Sequence, residues 1–481
     1  MMAPAVSIFS DFLLGFNYAV LAYFGLITLS YMAVTMMSAV QARSYFRARS
    51  DLALRRSLQS QLTQPVAICI AAYNEASTIV NSISAVLTLN YPNFDVVLTN
   101  DGSTDDTLER LKQAFNLRKV DQPLRSDIPT ARVRAIYRSR VHPNFTVVDK
   151  ENGGRADGLN AAINASRSPL LCCIDADSIL DRDALITAAQ PFKERPDTTL
   201  GAGGIIRVAN GCEVSGGHVT KIGLPRNHVA MFQVVEYLRA FLAARSGWSL
   251  VNGLLIISGA FGVFRRSAVA DAGGFAADSI GEDFELCVRL HKMAHDQKRK
   301  YRLVFVPDPV CWTEVPEGFR ELGGQRSRWH RGLTDTLWRH RRMIANPRYG
   351  TVGMMALPFF VLFELVGAFI EALGYVAIAV SLALGVVNVP FALLFLLIAV
   401  LSGVLLSLSA VLLEDVAFRR YARVRDLARL IWFALLENLG YRQLITIYRL
   451  RGFVGYLRGD KTWGEIKRLG FDEQMPVAER R

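Results

Sequence analysis

Asp175 and Asp177 flank a single alanine, and two carboxylates at that spacing can hold one hard divalent cation. They follow the β-rich run Leu170–Ile174, so they stand where a buried strand emerges. Mg2+ or Mn2+ takes one or two carboxylates and completes its shell with water and phosphate oxygens. Upstream, Lys150-Glu151-Asn152-Gly153-Gly154-Arg155 places two glycines, which permit close backbone approach, between two cations. The same stretch opens a helix, whose amino end favours anions. Together these residues suggest a metal-bound diphosphate. Tyr73-Asn74-Glu75 and Asn100-Asp101 through Asp106 also follow β-rich runs. After one strand such residues are ordinary turn formers and helix caps. Three carboxylate-bearing strand ends in one sheet would instead converge on one crevice. Further on, Glu282-Asp283 begins a helical stretch, where acidic residues either complement the helix dipole or supply a general base. Gln325-Arg326-Ser327-Arg328-Trp329, read alone, is an interfacial anchor.

The elements that must position these groups alternate. Strand-like runs at Val66–Ala71, Phe94–Thr99, Thr146–Val148, Leu170–Ile174 and Leu303–Val306 are separated by helical windows near Ala76–Leu89, Asp106–Phe115, Gly154–Asn164 and Arg182–Phe192. Alternation of this kind predicts an α/β domain over residues 64–322 with a mostly parallel sheet. Its ligand should bind at the carboxyl ends of the strands, where the polar clusters fall.

The rest of the chain is apolar. With 51% hydrophobic and 20% charged residues, the chain is no disordered polymer, and its length suits about three units of ~150 residues. Residues 12–42 carry no charge and, as a helix, would rise about 46 Å, enough to cross a bilayer. The stretch lacks a positive leader and a clear cleavage site, so it reads as a retained span near 12–40. Arg43, Arg47, Arg49, Arg55 and Arg56 follow it, which predicts an amino terminus outside and a cytoplasmic linker to residue 63. Two further spans are expected near 352–384 and 390–413 within a block 351–427, followed by Arg419, Arg420, Arg423 and Arg425. Residues 323–350 should form an amphipathic interface segment. Residues 428–481 should form an interfacial or hairpin helix with a basic cytoplasmic tail, because Glu437, Asn438, Arg442 and Gln443 interrupt the apolar pattern. Glu364 and Glu371, two turns apart in the second span, either line a path for substrate or are buried carboxylates satisfied by neighbours. The six cysteines lack metal-ligand spacing. A net charge of +12 invites a nucleic-acid reading, but the cations flank membrane segments, and nucleic acid is rejected as a partner.

Asp101, the Asp175/Asp177 pair, Asp283 and Gln325-Arg326-Ser327-Arg328-Trp329 occur in the order of the D, DxD, D, Q(Q/R)xRW signature. Over residues 64–332 the chain thus resembles the family 2 membrane glycosyltransferases of the cellulose, hyaluronan and poly-N-acetylglucosamine synthase type. The resemblance implies a cytoplasmic GT-A domain of Rossmann-like fold joined to an α-helical transmembrane region. It implies that Tyr73 and Glu75 border the uridine of a UDP-sugar, that Asp101 binds the uracil and that Lys150 lies near the nucleotide. Asp177, helped by Asp175, would bind Mg2+ or Mn2+ on the diphosphate, and Asp283 would deprotonate the acceptor hydroxyl. Gln325, Arg328 and Trp329 would close over donor and acceptor. Gly281 stands where many relatives have Thr, and Arg155 replaces a common Lys.

The function so implied is an inverting hexosyltransferase of the bacterial-type plasma membrane, elongating a β-linked polysaccharide from UDP-N-acetylglucosamine or UDP-glucose and coupling this to export. The alternative is transfer of one sugar to a lipid, as in ceramide glucosyltransferases. A catalytically silent receptor for nucleotide sugars is disfavoured, because every catalytic carboxylate is retained. Three spans are few for an export channel, and an accessory subunit or a second copy would supply more.

Overall fold

Runs of Val, Ile, Leu, Cys and Ala that are buried on both faces form the centre of a ten-stranded sheet. In the computed structural model, which describes residues 2–48, 63–385, 389–418, 420, 421 and 423–460, β1 (Val66–Ala72) lies at its middle. It pairs in parallel with β2 (Phe94–Asp101) and, on its other side, with β6 (Leu170–Asp175). Two short strands, β3 (Leu117–Val120) and β4 (Val133–Ser139), form one antiparallel flank, joined through β5 (Phe145–Lys150), which pairs in parallel with β2. The other flank runs outward from β6 through Phe261–Arg265, Thr199–Val208 and Arg302–Thr313 to Ile179–Leu180. Helices Ile79–Val86, Thr107–Ala114, Arg155–Ala165 and Ala184–Glu194 fill the connections predicted to be helical. The sheet is an α/β sheet with a parallel centre, one antiparallel flank and one mixed flank, in which Thr199–Val208 and Arg302–Thr313 run parallel.

Register brings the chemistry to one edge. Ala72 is opposite Asn100, Asp101 is opposite Lys150, and Ala71 is opposite Asp175. The carboxyl ends of four parallel strands therefore finish together. Phe261 pairs with Ile174, so the chain entering that antiparallel strand, Ser258–Ala260, starts beside Asp175.

Around this domain stands a helical region. Among the described residues two helices, Tyr18–Arg43 and Val352–Ala383, are long and apolar enough to cross a membrane. The second is wound as π-helix at Val352–Ala356 and Phe360–Leu365. A third apolar helix spans Val389–Ala417, and Val424–Leu436 and Tyr441–Leu457 form a helical pair. The residues that interrupt the apolar pattern make the joint of that pair: Glu437, fully buried, accepts a hydrogen bond from Arg239, and Asn438 caps back to Ala434 O at 3.0 Å. The basic run Arg49–Arg56, the turn at 386–388, Arg419 and the tail beyond Asp460 lie outside the described residues.

Buried ion pairs fasten the sheet domain to these helices. Arg207, on strand Thr199–Val208, meets Glu414 at 2.6 Å with both side chains buried. The helix Phe319–Arg339, which carries the Gln-Arg-Ser-Arg-Trp sequence, packs along Tyr441–Leu457. There Ser327 Oγ donates to Tyr448 O at 2.9 Å, and a Cβ on Gly452 would strike Ser327 O at 2.4 Å, which explains the glycine.

Candidate active site

Asp101 ends β2 almost fully buried, and its carboxylate organises the Gly-Gly turn. Oδ1 accepts from Lys150 Nζ at 2.5 Å and Gly153 N–H at 3.0 Å, and Oδ2 accepts from Gly154 N–H at 2.8 Å. A carboxylate offers about four lone-pair sites, so about one remains open. Gly102 follows at φ 70°, and a Cβ there would lie 2.7 Å from the Asn152 backbone nitrogen, so only glycine lets the two loops meet. On the neighbouring strand end, Asn74 Oδ1 accepts from Thr104 N–H at 2.8 Å and Asn74 N–H donates to Ser103 Oγ at 3.1 Å. This ties Tyr73 and Glu75 to the loop after Asp101.

Lys150 is placed differently from the expected nucleotide contact. It is fully buried behind Asp101, where its ammonium meets Asp101 Oδ1 at 2.5 Å, Asp157 Oδ1 at 2.6 Å and Glu151 O at 2.5 Å. Two hydrogen bonds and a second ion pair engage the ammonium, and Lys150 is not among the residues that line the site's cavity. Lys150 braces the loop that Asp101 shapes.

Arg155, at the start of its helix, spans the site. Its Nε donates to Asp175 Oδ1 at 2.7 Å, Nη2 donates to Gly259 O at 2.7 Å, and Nη1 bonds Glu282 Oε1. The amide of Gly259 donates to Asp283 Oδ2 at 3.0 Å, while Asp283 Oδ1 accepts from Phe284 N–H at 2.7 Å. One guanidinium thus links the carboxylate after β6 to the loop that orients Asp283. Burial pushes the Glu282 carboxyl above its usual range, against the pull of Arg155. A Lys has one compact ammonium and cannot span the three partners. Arg155→Lys is expected to lower kcat roughly 10- to 100-fold, because a displacement of about 1 Å costs that much, with the donor KM changed less than about threefold. Steady-state kinetics check this; an equal rise in KM would mark Arg155 as a donor contact.

Asp175 and Asp177 face a cavity of about 1620 Å3 that Tyr73, Asp101 and Asp283 also line. Two strand-end carboxylates are a hard-oxygen donor set that fits Mg2+ or Mn2+, provided phosphate and water complete the shell. No group of three or more His, Cys, Asp or Glu able to hold a metal occurs among the described residues.

From this end the cavity continues past Gln325, Arg328 and Trp329 to the apolar helices. Trp329 is 42% exposed, with the Arg326 guanidinium 4.2 Å from its ring centroid. Arg326 is held by Glu236 at 2.8 Å, and Tyr441 OH donates to the same oxygen at 3.0 Å. Further along stand Glu364 and Glu371. Glu364 pairs with Arg449 at 3.0 Å and accepts from Tyr31 OH, while Glu371 accepts from Thr446 at 2.9 Å and Tyr375 at 3.0 Å. They both line the cavity and are satisfied by neighbours.

Strand-end carboxylates thus gather around one cleft at the carboxyl edge of the sheet, where α/β sheets bind their ligands. The family model described as "Glycosyl transferase family group 2" matches residues 170–436, more than half of the chain, and that described as "Glycosyl transferase family 2" matches residues 67–271. The chain therefore belongs to the family 2 glycosyltransferases, and it is an enzyme of that class. It is 29% identical over 283 residues to the poly-β-1,6-N-acetyl-D-glucosamine synthase of Staphylococcus epidermidis, covering 58% of this chain and 57% of that protein. With the synthase of the same name from Staphylococcus aureus (strain COL) it shares 31% over 276 residues, 57% and 56% of the two chains. The match thus spans little more than half the length of these relatives. The solved structure of the mannosyltransferase PcManGT from Pyrobaculum calidifontis, in complex with GDP-Man and Mn2+, shares the fold. It has a TM-score of 0.52 and 18% identity, covering 88% of this chain and 99% of that one.

The sequence reading passed over Glu282 and Gly259 as partners of Arg155, and Glu236 as the anchor of Arg326. Arg155 stands out in the sequence as a departure from a common Lys, but only the packing joins it to Glu282 and Gly259, and Arg326 to Glu236.

Proposed function

We propose that this protein is a membrane-embedded, inverting glycosyltransferase that extends a β-linked polysaccharide from a UDP-sugar, UDP-N-acetylglucosamine or UDP-glucose, and passes the polymer out between its own helices. The observation supporting this is the single cavity that begins at the strand-end carboxylates and continues among the helices Tyr18–Arg43, Val352–Ala383 and Val389–Ala417. The poly-β-1,6-N-acetyl-D-glucosamine synthases to which the chain is similar favour a polymeric product and N-acetylglucosamine as the sugar.

In this reading the uridine lies against Tyr73 and Glu75, and its uracil N–H takes the open acceptor position of Asp101. Asp175 and Asp177 hold Mg2+ or Mn2+, which when bound neutralises the diphosphate leaving group. Asp283 accepts the proton of the acceptor hydroxyl as that oxygen bonds to the sugar's anomeric carbon and the bond to the diphosphate breaks, releasing UDP. Gln325 and Arg328 close over the donor, and the indole of Trp329 stacks on the acceptor sugar. Three helices cross the membrane with the sheet domain cytoplasmic and the amino terminus outside, in a bacterial-type plasma membrane. An accessory subunit or a second copy completes the channel.

Two results test this. UDP release from UDP-N-acetylglucosamine should require added Mg2+ or Mn2+ and stop with a chelator; release unchanged by chelation would contradict the role given to Asp175 and Asp177. Trp329→Ala should lower polymer formation roughly tenfold or more while donor hydrolysis falls far less, since the ring supports only the acceptor. Equal losses would remove Trp329 from the acceptor site.

A further inference from the structure

Four guanidinium groups on the cavity wall, those of Arg155, Arg239, Arg326 and Arg449, each pair with a carboxylate. Arg245 is on the same wall and has no carboxylate at ion-pair distance among the described residues. Its place is specified: it directly follows the π-helical turn Leu238–Ala244, and such turns re-aim the side chains next to them. Its guanidinium lies 3.8 Å from the centroid of Phe241, with Tyr237 and Trp248 lining the same stretch of cavity. Burial lowers its pKa to about 10, and Asp283 is the charge that pulls back against that shift most. The group therefore stays cationic at neutral pH. A half-buried cation without a paired carboxylate is best served by a ligand that brings oxygen atoms to its N–H donors.

We infer that Arg245 forms an acceptor-sugar subsite beside Asp283, taking an oxygen acceptor such as an N-acyl carbonyl from the sugar that is being extended and excluding sugars that carry an ammonium. The subsite rests on the proposed function, because it assumes that Asp283 deprotonates a sugar hydroxyl. Its selectivity has two parts. An amide carbonyl accepts from the guanidinium, whereas an ammonium has only donors and the same charge. An acidic sugar is a poorer fit, because Asp283 and Glu282 face the same space. The enzyme would then extend N-acetylated chains and stall on de-N-acetylated ends.

The test is initial-rate transfer from UDP-N-acetylglucosamine to short N-acetylglucosamine oligomers and to the same oligomers with free amines, at a mildly acidic pH that protonates them. Wild-type protein should favour the N-acetylated acceptor by about tenfold or more. Arg245→Met should narrow the preference to within about twofold, with the KM for the UDP-sugar unchanged, and Arg245→Lys should keep the exclusion of the amine. If the methionine variant fails to fold, Arg245→Gln removes the charge while keeping a donor. Transfer with an equal preference in wild type and neutral variants overturns the subsite alone. Wild-type protein that transfers to neither acceptor overturns the proposed function and the subsite with it.

Discussion

Asp283→Asn is expected to lower sugar transfer roughly a thousandfold while UDP-sugar affinity changes less than about twofold. An asparagine oxygen can still accept from the Gly259 or the Phe284 amide, so the loop and helix start stay in place. It cannot take a proton from the acceptor hydroxyl. The two carboxylates that share Arg155 with its loop are engaged: Glu282 is bound to that guanidinium, and Asp175 shares it. Turnover and equilibrium binding, measured on the same preparation, check the split. Turnover within about tenfold of wild type would mean that Asp283 is not the base.

Lys150→Met is expected to destabilise the sheet domain by about 3–5 kcal/mol, the usual cost of removing one member of a buried charge cluster. The substitution strands Asp101 and Asp157, whose side chains are almost fully buried around the ammonium. Asp101 would lose the donor that holds it against the Gly153-Gly154 amides, and the loop would loosen. A lowered thermal midpoint in detergent, with donor affinity falling alongside it as the Asp101 loop loosens, is the expected outcome. A normal midpoint with donor affinity lost would instead make Lys150 a direct ligand of the nucleotide.

These two residues show what one-dimensional pattern can carry. The strand ends were legible because three β-rich runs are each followed closely by Asn or Asp, a recurrence that turn chemistry at one strand does not require. The register that gathers Ala72, Asp101, Lys150 and Asp175 follows from that topology. Strand Thr199–Val208 was passed over, and its glycines are the reason. They lower strand propensity, yet Gly201 and Gly203 leave room for Leu303 and Ile257, and a Cβ at either would crowd those side chains at 3.0 to 3.2 Å. Gly281 is similar. In sequence it departs from a common threonine, but in the fold a Cβ there would lie 3.0 Å from the Gly332 Cα of the crossing helix. The direction of Lys150 could not be read at all. A cation beside two glycines looks the same whether it points into a cleft or back to Asp157, in the first turn of the next helix. Long-range partners decide such cases, as they do for Glu236 with Arg326 and for Glu364 with Arg449.

The most direct measurement gives purified, membrane-reconstituted protein Mg2+ or Mn2+ and labelled UDP-sugars, then sorts the product into organic-soluble and high-molecular-weight fractions. The account predicts label from UDP-N-acetylglucosamine in a large product that a matching glycosidase degrades. Label extracted with lipid would contradict it: the enzyme would then make a glycolipid, and the cavity beside Glu364 and Glu371 would hold a lipid acceptor in place of a growing chain.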